Sequence, residues 1–220
     1  MRIQMDNNTS KIGGITHPAS TAVLVIDIQN AYCSPKGAVA RQGHDVSMNQ
    51  NIIPKINRFL QIARSFQVPI IFTRMIEDPE YMADNAKLIA LQFKNTATVS
   101  SPGSFDFEYA QIKPADTDKE IIKKSYDAFS NPDLERILTK GEIKNLIILG
   151  VNADVCVDTT VRSGYTRGYN IVIPKDLIGT MGGKVYRQES AMELWNQFFA
   201  YVVDSGAIIN SWEKDSKLTS

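Results

Sequence analysis

Three polar side chains close buried-looking runs of this chain. Asp27 follows residues 22–26, Lys123 ends residues 120–123, and Cys156 comes shortly after residues 146–150. They are a carboxylate, an ammonium and a thiol: a base, a cation and a nucleophile. Brought to one crevice, they form the set required for covalent attack on an amide-type carbonyl. The stretch Val151-Asn152-Ala153-Asp154-Val155-Cys156 precedes an expected helix. At a helix amino end, free amides and the positive pole of the dipole favour thiolate over thiol and can also hold an oxyanion. Each residue also has a plainer reading: an aspartate capping a turn, Lys123 and Lys124 as a solvated pair, and a cysteine acting as a small hydrophobe. The other cysteine, Cys33, reads as a bystander; the two lie too far apart in sequence for a CxxC motif or a disulfide framework.

Short β-branched runs at 22–26, 69–73, 120–123, 146–150, 170–174 and 201–203 alternate with helical patterns. Ile52, Ile53, Ile56, Phe59, Leu60, Ala63 and Phe66 recur at three- and four-residue spacing, as on a helix packed against a sheet. Asn131-Pro132-Asp133 supplies a cap, a first-turn proline and an acidic first turn for a helix ending near Gly141. Further helices are expected after Cys156, over 184–199, and around 86–93. Strands apolar throughout are buried on both faces, as in a parallel sheet between helical layers. The expected fold is therefore α/β and doubly wound (Rossmann-like): a mostly parallel six-stranded sheet with helices on both faces. In such sheets ligands bind beyond the carboxyl ends of the strands, where the three polar residues fall.

With 220 residues, 43% hydrophobic and 22% charged, the chain reads as one globular domain, 1–220. Residues 1–19 are expected to form an N-terminal arm, 81–118 a long excursion or lid, and 213–220 a solvated tail. Its 24 basic side chains balance 24 acidic ones, which removes the electrostatic case for nucleic acid or an anionic membrane as partner. No apolar run nears the roughly 18 residues of a membrane span. The polar first twenty residues carry no visible secretory signal, so the expected location is cytoplasmic. The turn after the first run is Ile28-Gln29-Asn30-Ala31 rather than a GxGxxG phosphate cradle, which argues against a nucleotide-binding oxidoreductase.

The segments TAVLVIDIQNAYCSPKGA, IIKKSYDAF and LERILTKGEIKNLIILGVNADVCVDTTVRSGYTRGYNIVIPKD resemble the isochorismatase-like cysteine hydrolase superfamily. That group contains nicotinamidases, N-carbamoylsarcosine amidohydrolase, biuret hydrolase and ureidoacrylate amidohydrolase. The resemblance implies that Asp27, Lys123 and Cys156 are catalytic, and that a non-proline cis peptide falls at Val151–Asn152. It further implies that the Asn152 and Cys156 amides form an oxyanion hole, although Asn152-Ala153-Asp154 stands where the family commonly has Ala-Thr-Asn.

The implied reaction is cofactor-independent hydrolysis of a small linear amide, ureido or carbamoyl substrate through a thioester, with release of ammonia. Tyr32, Arg74 and Tyr126 are candidate substrate-binding residues, Arg74 for a carboxylate and the tyrosines for a ureido group. Neither His17 nor His44 follows the second run, where metal-dependent nicotinamidases place their ligands, so no metal is expected. Alternatives on the same fold are a nicotinamidase-like or vinyl-ether hydrolase and a non-catalytic ligand-binding protein, and Cys156 argues against the vinyl-ether reaction. The resemblance also implies a homo-oligomer, dimer or tetramer.

Overall fold

The computed structural model describes residues 12–92 and 97–218. Six strands form one parallel sheet: β1 (Thr21–Ile26), β2 (Ile70–Met75), β3 (Lys119–Lys123), β4 (Asn145–Gly150), β5 (Asn170–Pro174) and β6 (Tyr201–Val203). Their spatial order is β3-β2-β1-β4-β5-β6. The chain builds outward from β1 in one direction and restarts at β4 in the other, so the order reverses between those neighbours and a crevice opens beyond their carboxyl ends. Strands β1 and β4 are buried at every position, and they pair in register from Thr21 with Asn145 to Ile26 with Gly150. The outermost strand on this side, β3, is the least buried of the three strands β1, β2 and β3.

The helices, in chain order, are α1 (Asn30–Cys33), α2 (Ala38–Arg41), α3 (Ser47–Ser65), α4 (Asp84–Gln92), α5 (Pro132–Lys140), α6 (Asp158–Thr166), α7 (Val185–Leu194) and α8 (Ser205–Leu218). α3 buries Ile52, Ile53, Ile56, Phe59, Leu60 and Ala63, the stripe its spacing prescribes. α5 begins as its sequence dictates, with Asn131 Oδ1 accepting from the Asp133 amide at 2.9 Å and Pro132 in the first turn. The expected helix over 184–199 is α7 followed by a wide π-type turn, Trp195–Phe199. Among the described residues, no helix is long and apolar enough to cross a membrane.

Residues 213–218 of the expected solvated tail are the last turns of α8, with Glu213, Lys214, Ser216 and Lys217 exposed; 219–220 lie outside the described residues, as do 1–11 of the expected arm and Phe93 of the expected 86–93 helix. The cause of the helix is a stripe at helical spacing, Ala207, Ile208, Ser211 and Trp212, whose charged neighbours on the other face concealed it in the sequence. Trp212 is fully buried, with its ring centroid 5.5 Å from Phe59 and 5.7 Å from Phe66, and its indole N–H donates to the Thr16 carbonyl at 2.6 Å. Replacing a buried tryptophan by alanine removes this packing and strands a carbonyl, so Trp212→Ala should cost about 3–5 kcal/mol in denaturant unfolding. A loss below about 1 kcal/mol would show that α8 is not part of the core.

Candidate active site

Strand β1 stops abruptly. Asp27 adopts a left-handed backbone (φ 50°), which aspartate tolerates better than most residues, and the Gln29 amide closes a tight turn onto the Asp27 carbonyl at 2.7 Å. The carboxylate is thereby held at the strand end, 1% exposed. Thr73 of neighbouring β2 fixes one side of it: its hydroxyl donates to Oδ1 at 2.6 Å and accepts from the Asp27 amide at 3.2 Å. The other oxygen, Oδ2, lies 2.7 Å from Lys123 Nζ. The approach is off the direction of a well-formed hydrogen bond, so Oδ2 is otherwise free to accept.

Lys123 reaches Asp27 from beyond β2 because it pairs in register with Met75, the last residue of β2, and lies on that residue's face. Its ammonium also donates to the Ser125 and Tyr126 carbonyls at 3.1 and 3.3 Å and touches Met75 Sδ at 3.6 Å. Burial works against the charge, but the Asp27 carboxylate and Cys156 outweigh it and hold the ammonium above its ordinary pKa.

Cys156 arrives from the other half of the sheet. β4 ends at Gly150 with φ 120°, and a Cβ there would stand 2.2 Å from the Ile26 carbonyl oxygen, so only glycine permits this closeness between the strand ends. The Val151–Asn152 peptide is cis. A π-type turn, Ala153–Val157, then leads into α6 and carries Cys156 at 6% exposure. The Asn152 side chain is fixed from α3, where buried Asn49 donates from Nδ2 to Asn152 Oδ1 at 3.1 Å and to the Tyr32 carbonyl at 3.0 Å.

The Cys156 thiol is buried close enough to Asp27 and Lys123 for both charges to act on its protonation. Burial pushes the thiol up, Lys123 pulls it down, and the Asp27 and Glu77 carboxylates push it up again, leaving it well above its ordinary value. At rest the sulfur therefore keeps its proton.

Of the remaining predicted residues, Tyr32 is buried and donates to Glu77 Oε2 at 2.9 Å. Tyr126 is half-exposed and lines a cavity of about 380 Å³ beside the cluster. Arg74 is not brought to it. Alternation along β2 turns its side chain away from that of Met75, and it pairs with Glu120 at 3.1 Å and Glu108 at 3.8 Å over the Phe107 and Tyr109 rings. His17 accepts from the Ala19 amide in the first described turns, and among the described residues no three His, Cys, Asp or Glu side chains cluster as metal ligands do.

The sequence reading passed over three residues. Thr73 positions Asp27. Gln29 is fully buried; its Nε2 donates to the Met75 and Phe107 carbonyls and to Ser100 Oγ at 3.0–3.1 Å, while Oε1 accepts from the Met75 amide at 2.7 Å. Glu77, just past β2, is a half-buried carboxylate whose pKa is raised, chiefly by desolvation, against the pull of Tyr32 and Lys123. Its signal was positional, since the end of β2 borders the same crevice as Asp27 and Lys123.

Fold and site together define a doubly wound α/β protein with a thiol, a carboxylate and an ammonium meeting at its switch point. Residues 21–207 match the family described as Isochorismatase domain, and the chain belongs to the isochorismatase family. Among curated relatives, the ureidoacrylate amidohydrolase RutB of Yersinia enterocolitica is 29% identical over 219 residues, covering 93% of this chain and 95% of its own. The RutB of Caulobacter segnis is 28% identical over 198 residues, 84% of this chain and 82% of its own. Among solved structures, a cysteine hydrolase from Pseudomonas syringae pv. phaseolicola 1448A superposes with a TM-score of 0.77 at 24% identity, over 90% of this chain and 94% of its own. The N-carbamoylsarcosine amidase of Thermoplasma acidophilum gives 0.67 at 18%, over 84% and 96%.

Removing the Asp27 charge takes away a neighbour that raises the thiol and leaves Lys123 to lower it. Asp27→Asn should therefore shift the pH midpoint of iodoacetamide alkylation of Cys156 downward. A midpoint equal to or above that of the wild type would mean that the carboxylate charge does not act on the sulfur.

Proposed function

We propose that this protein is a cofactor-independent cysteine amidohydrolase that cleaves the C–N bond of a small linear amide, ureido or carbamoyl substrate. The observation that carries the reading is the buried Asp27–Lys123 ion pair, with Nζ 2.7 Å from Oδ2, beside the buried Cys156 thiol whose protonation both charges shift. The curated relatives named ureidoacrylate amidohydrolase support the substrate class.

Asp27 takes the Cys156 proton as the sulfur attacks the substrate carbonyl, so thiolate charge develops only as the new C–S bond forms. Lys123, charged throughout, offsets the negative charge passing between sulfur and carboxylate. The family resemblance implies the amides of Asn152 and Cys156 for the oxyanion, and the neighbouring amides of Ala153, Val155 and Val157 are bonded to the Gly179 and Asn152 carbonyls. When the tetrahedral intermediate collapses, the C–N bond breaks and Asp27 returns its proton to the departing nitrogen as ammonia or amine. Asp27 then accepts a proton from a water that attacks the thioester carbonyl. Release of the acid restores the thiol.

A panel of ureidoacrylate, biuret, N-carbamoyl amino acids, maleamate and nicotinamide tests this by ammonia release. Wild type should release ammonia from ureido or carbamoyl members, unaffected by chelator, and Cys156→Ala should reduce the rate by about 10²-fold or more. Activity surviving in Cys156→Ala, or silence across the whole panel, would defeat the reading.

A further inference from the structure

The cavity beside the cluster has two ends of different character. Its inner wall includes Met75, whose sulfur touches the Lys123 ammonium, and Glu77, whose carboxylate acts electrostatically on Cys156 and Lys123. Farther along are Ile89 of α4, Tyr126 and Lys124. About 380 Å³ suits a compact small molecule. Two charged side chains line it, Glu77 and Lys124, and they are partnered differently. Glu77 accepts from the Tyr32 hydroxyl at 2.9 Å. Lys124 rests its ammonium 5.2 Å from the Tyr81 ring centre, and among the described residues no carboxylate lies within ion-pair distance of it.

Lys124 owes this position to β3. The strand delivers Lys123 to Asp27, and the next residue, past the strand end, carries its side chain along the cavity instead. Two consecutive lysines thus meet different surroundings: Lys123 is paired with Asp27 behind the Met75 wall of the cavity, and Lys124 lines the cavity itself. An ammonium without an ion-pair partner among the described residues, on the wall of a cavity whose Met75 and Glu77 border the Asp27, Lys123 and Cys156 cluster, is a complement for a substrate anion.

We propose that Lys124 is the anion anchor of this cavity, and that the substrate is a short amide or ureido compound ending in a carboxylate, held with its amide at Cys156 and its carboxylate at Lys124. The inference rests on the amidohydrolase reading and adds a specificity-determining residue to it. It also supplies the cation that Arg74, engaged with Glu108 and Glu120 on the other face of β2, does not.

Calorimetric titration of the Cys156→Ala protein with N-carbamoyl-β-alanine and with its neutral primary amide tests the anchor without turnover. The acid should bind about ten- to hundredfold more tightly than the amide. Adding Lys124→Gln should abolish that preference, leaving the amide's affinity within about twofold, whereas Lys124→Arg should retain most of it. Equal binding of acid and amide, a preference that survives Lys124→Gln, or no binding of either ligand overturns the proposal. A Lys124-dependent preference in a protein whose wild type releases no ammonia from the acid would instead leave the anchor standing and refute the hydrolase reading.

Discussion

The contact on which the site depends is the ion pair between Asp27 and Lys123, both about 1% exposed. Two charges withdrawn from water lose more hydration than their attraction returns unless geometry and further hydrogen bonds make up the difference. The fold supplies those terms from several places: Thr73 on one carboxylate oxygen, the Ser125 and Tyr126 carbonyls on the ammonium, and the β1-β2-β3 register that sets the separation. Burial keeps the Cys156 thiol beside this pair protonated at rest. In the proposed reaction the ion pair and the raised thiol act together, with the carboxylate taking the thiol proton as substrate arrives.

The excursion between β2 and β3 is anchored by the same turn that presents Asp27. Gln29 ties the ends of β1 and β2 to Ser100 and Phe107, while the Asn30 amide donates to the Glu108 carbonyl and the Ala110 amide to the Ile28 carbonyl. Arg41 pairs with Asp106 from the α2 side, and Glu77 forms a backbone bridge to Ser100. A segment rich in Ser, Gly and Pro is thus fixed close to the reacting groups by buried side-chain amide chemistry. α4 is different: none of its residues is buried, and Leu88, Ile89 and Leu91 are mostly exposed.

Much of this was legible in the sequence because its signals were local. The apolar runs of β1 and β4, the α3 stripe and the Asn131 cap each declare themselves within a few residues, and the strand-end rule turns such a list into a location for Asp27, Lys123 and Cys156. What was not legible depends on which face a residue takes or on a partner distant in sequence. Arg74 and Met75 are adjacent, yet one turns to an acidic pair and the other to the lysine ammonium. Glu77 and Thr73 gain meaning only once β2 is known to lie between β1 and β3. The α8 stripe was hidden by lysines on its solvent face, and the raised thiol follows from burial, which no spacing rule reports.

The switch point divides the sheet into two slabs, and the reacting groups do not all belong to one. Asp27, Thr73 and Lys123 ride on β1, β2 and β3, while Cys156 rides on the turn after β4. What sets their mutual distance is the seam where β1 meets β4, locked at its end by a glycine that lets Gly150 press against the Ile26 backbone. The thiol and the carboxylate are thus tooling mounted on opposite jaws of a vice, and slip along that seam would throw them out of alignment while each jaw stayed intact.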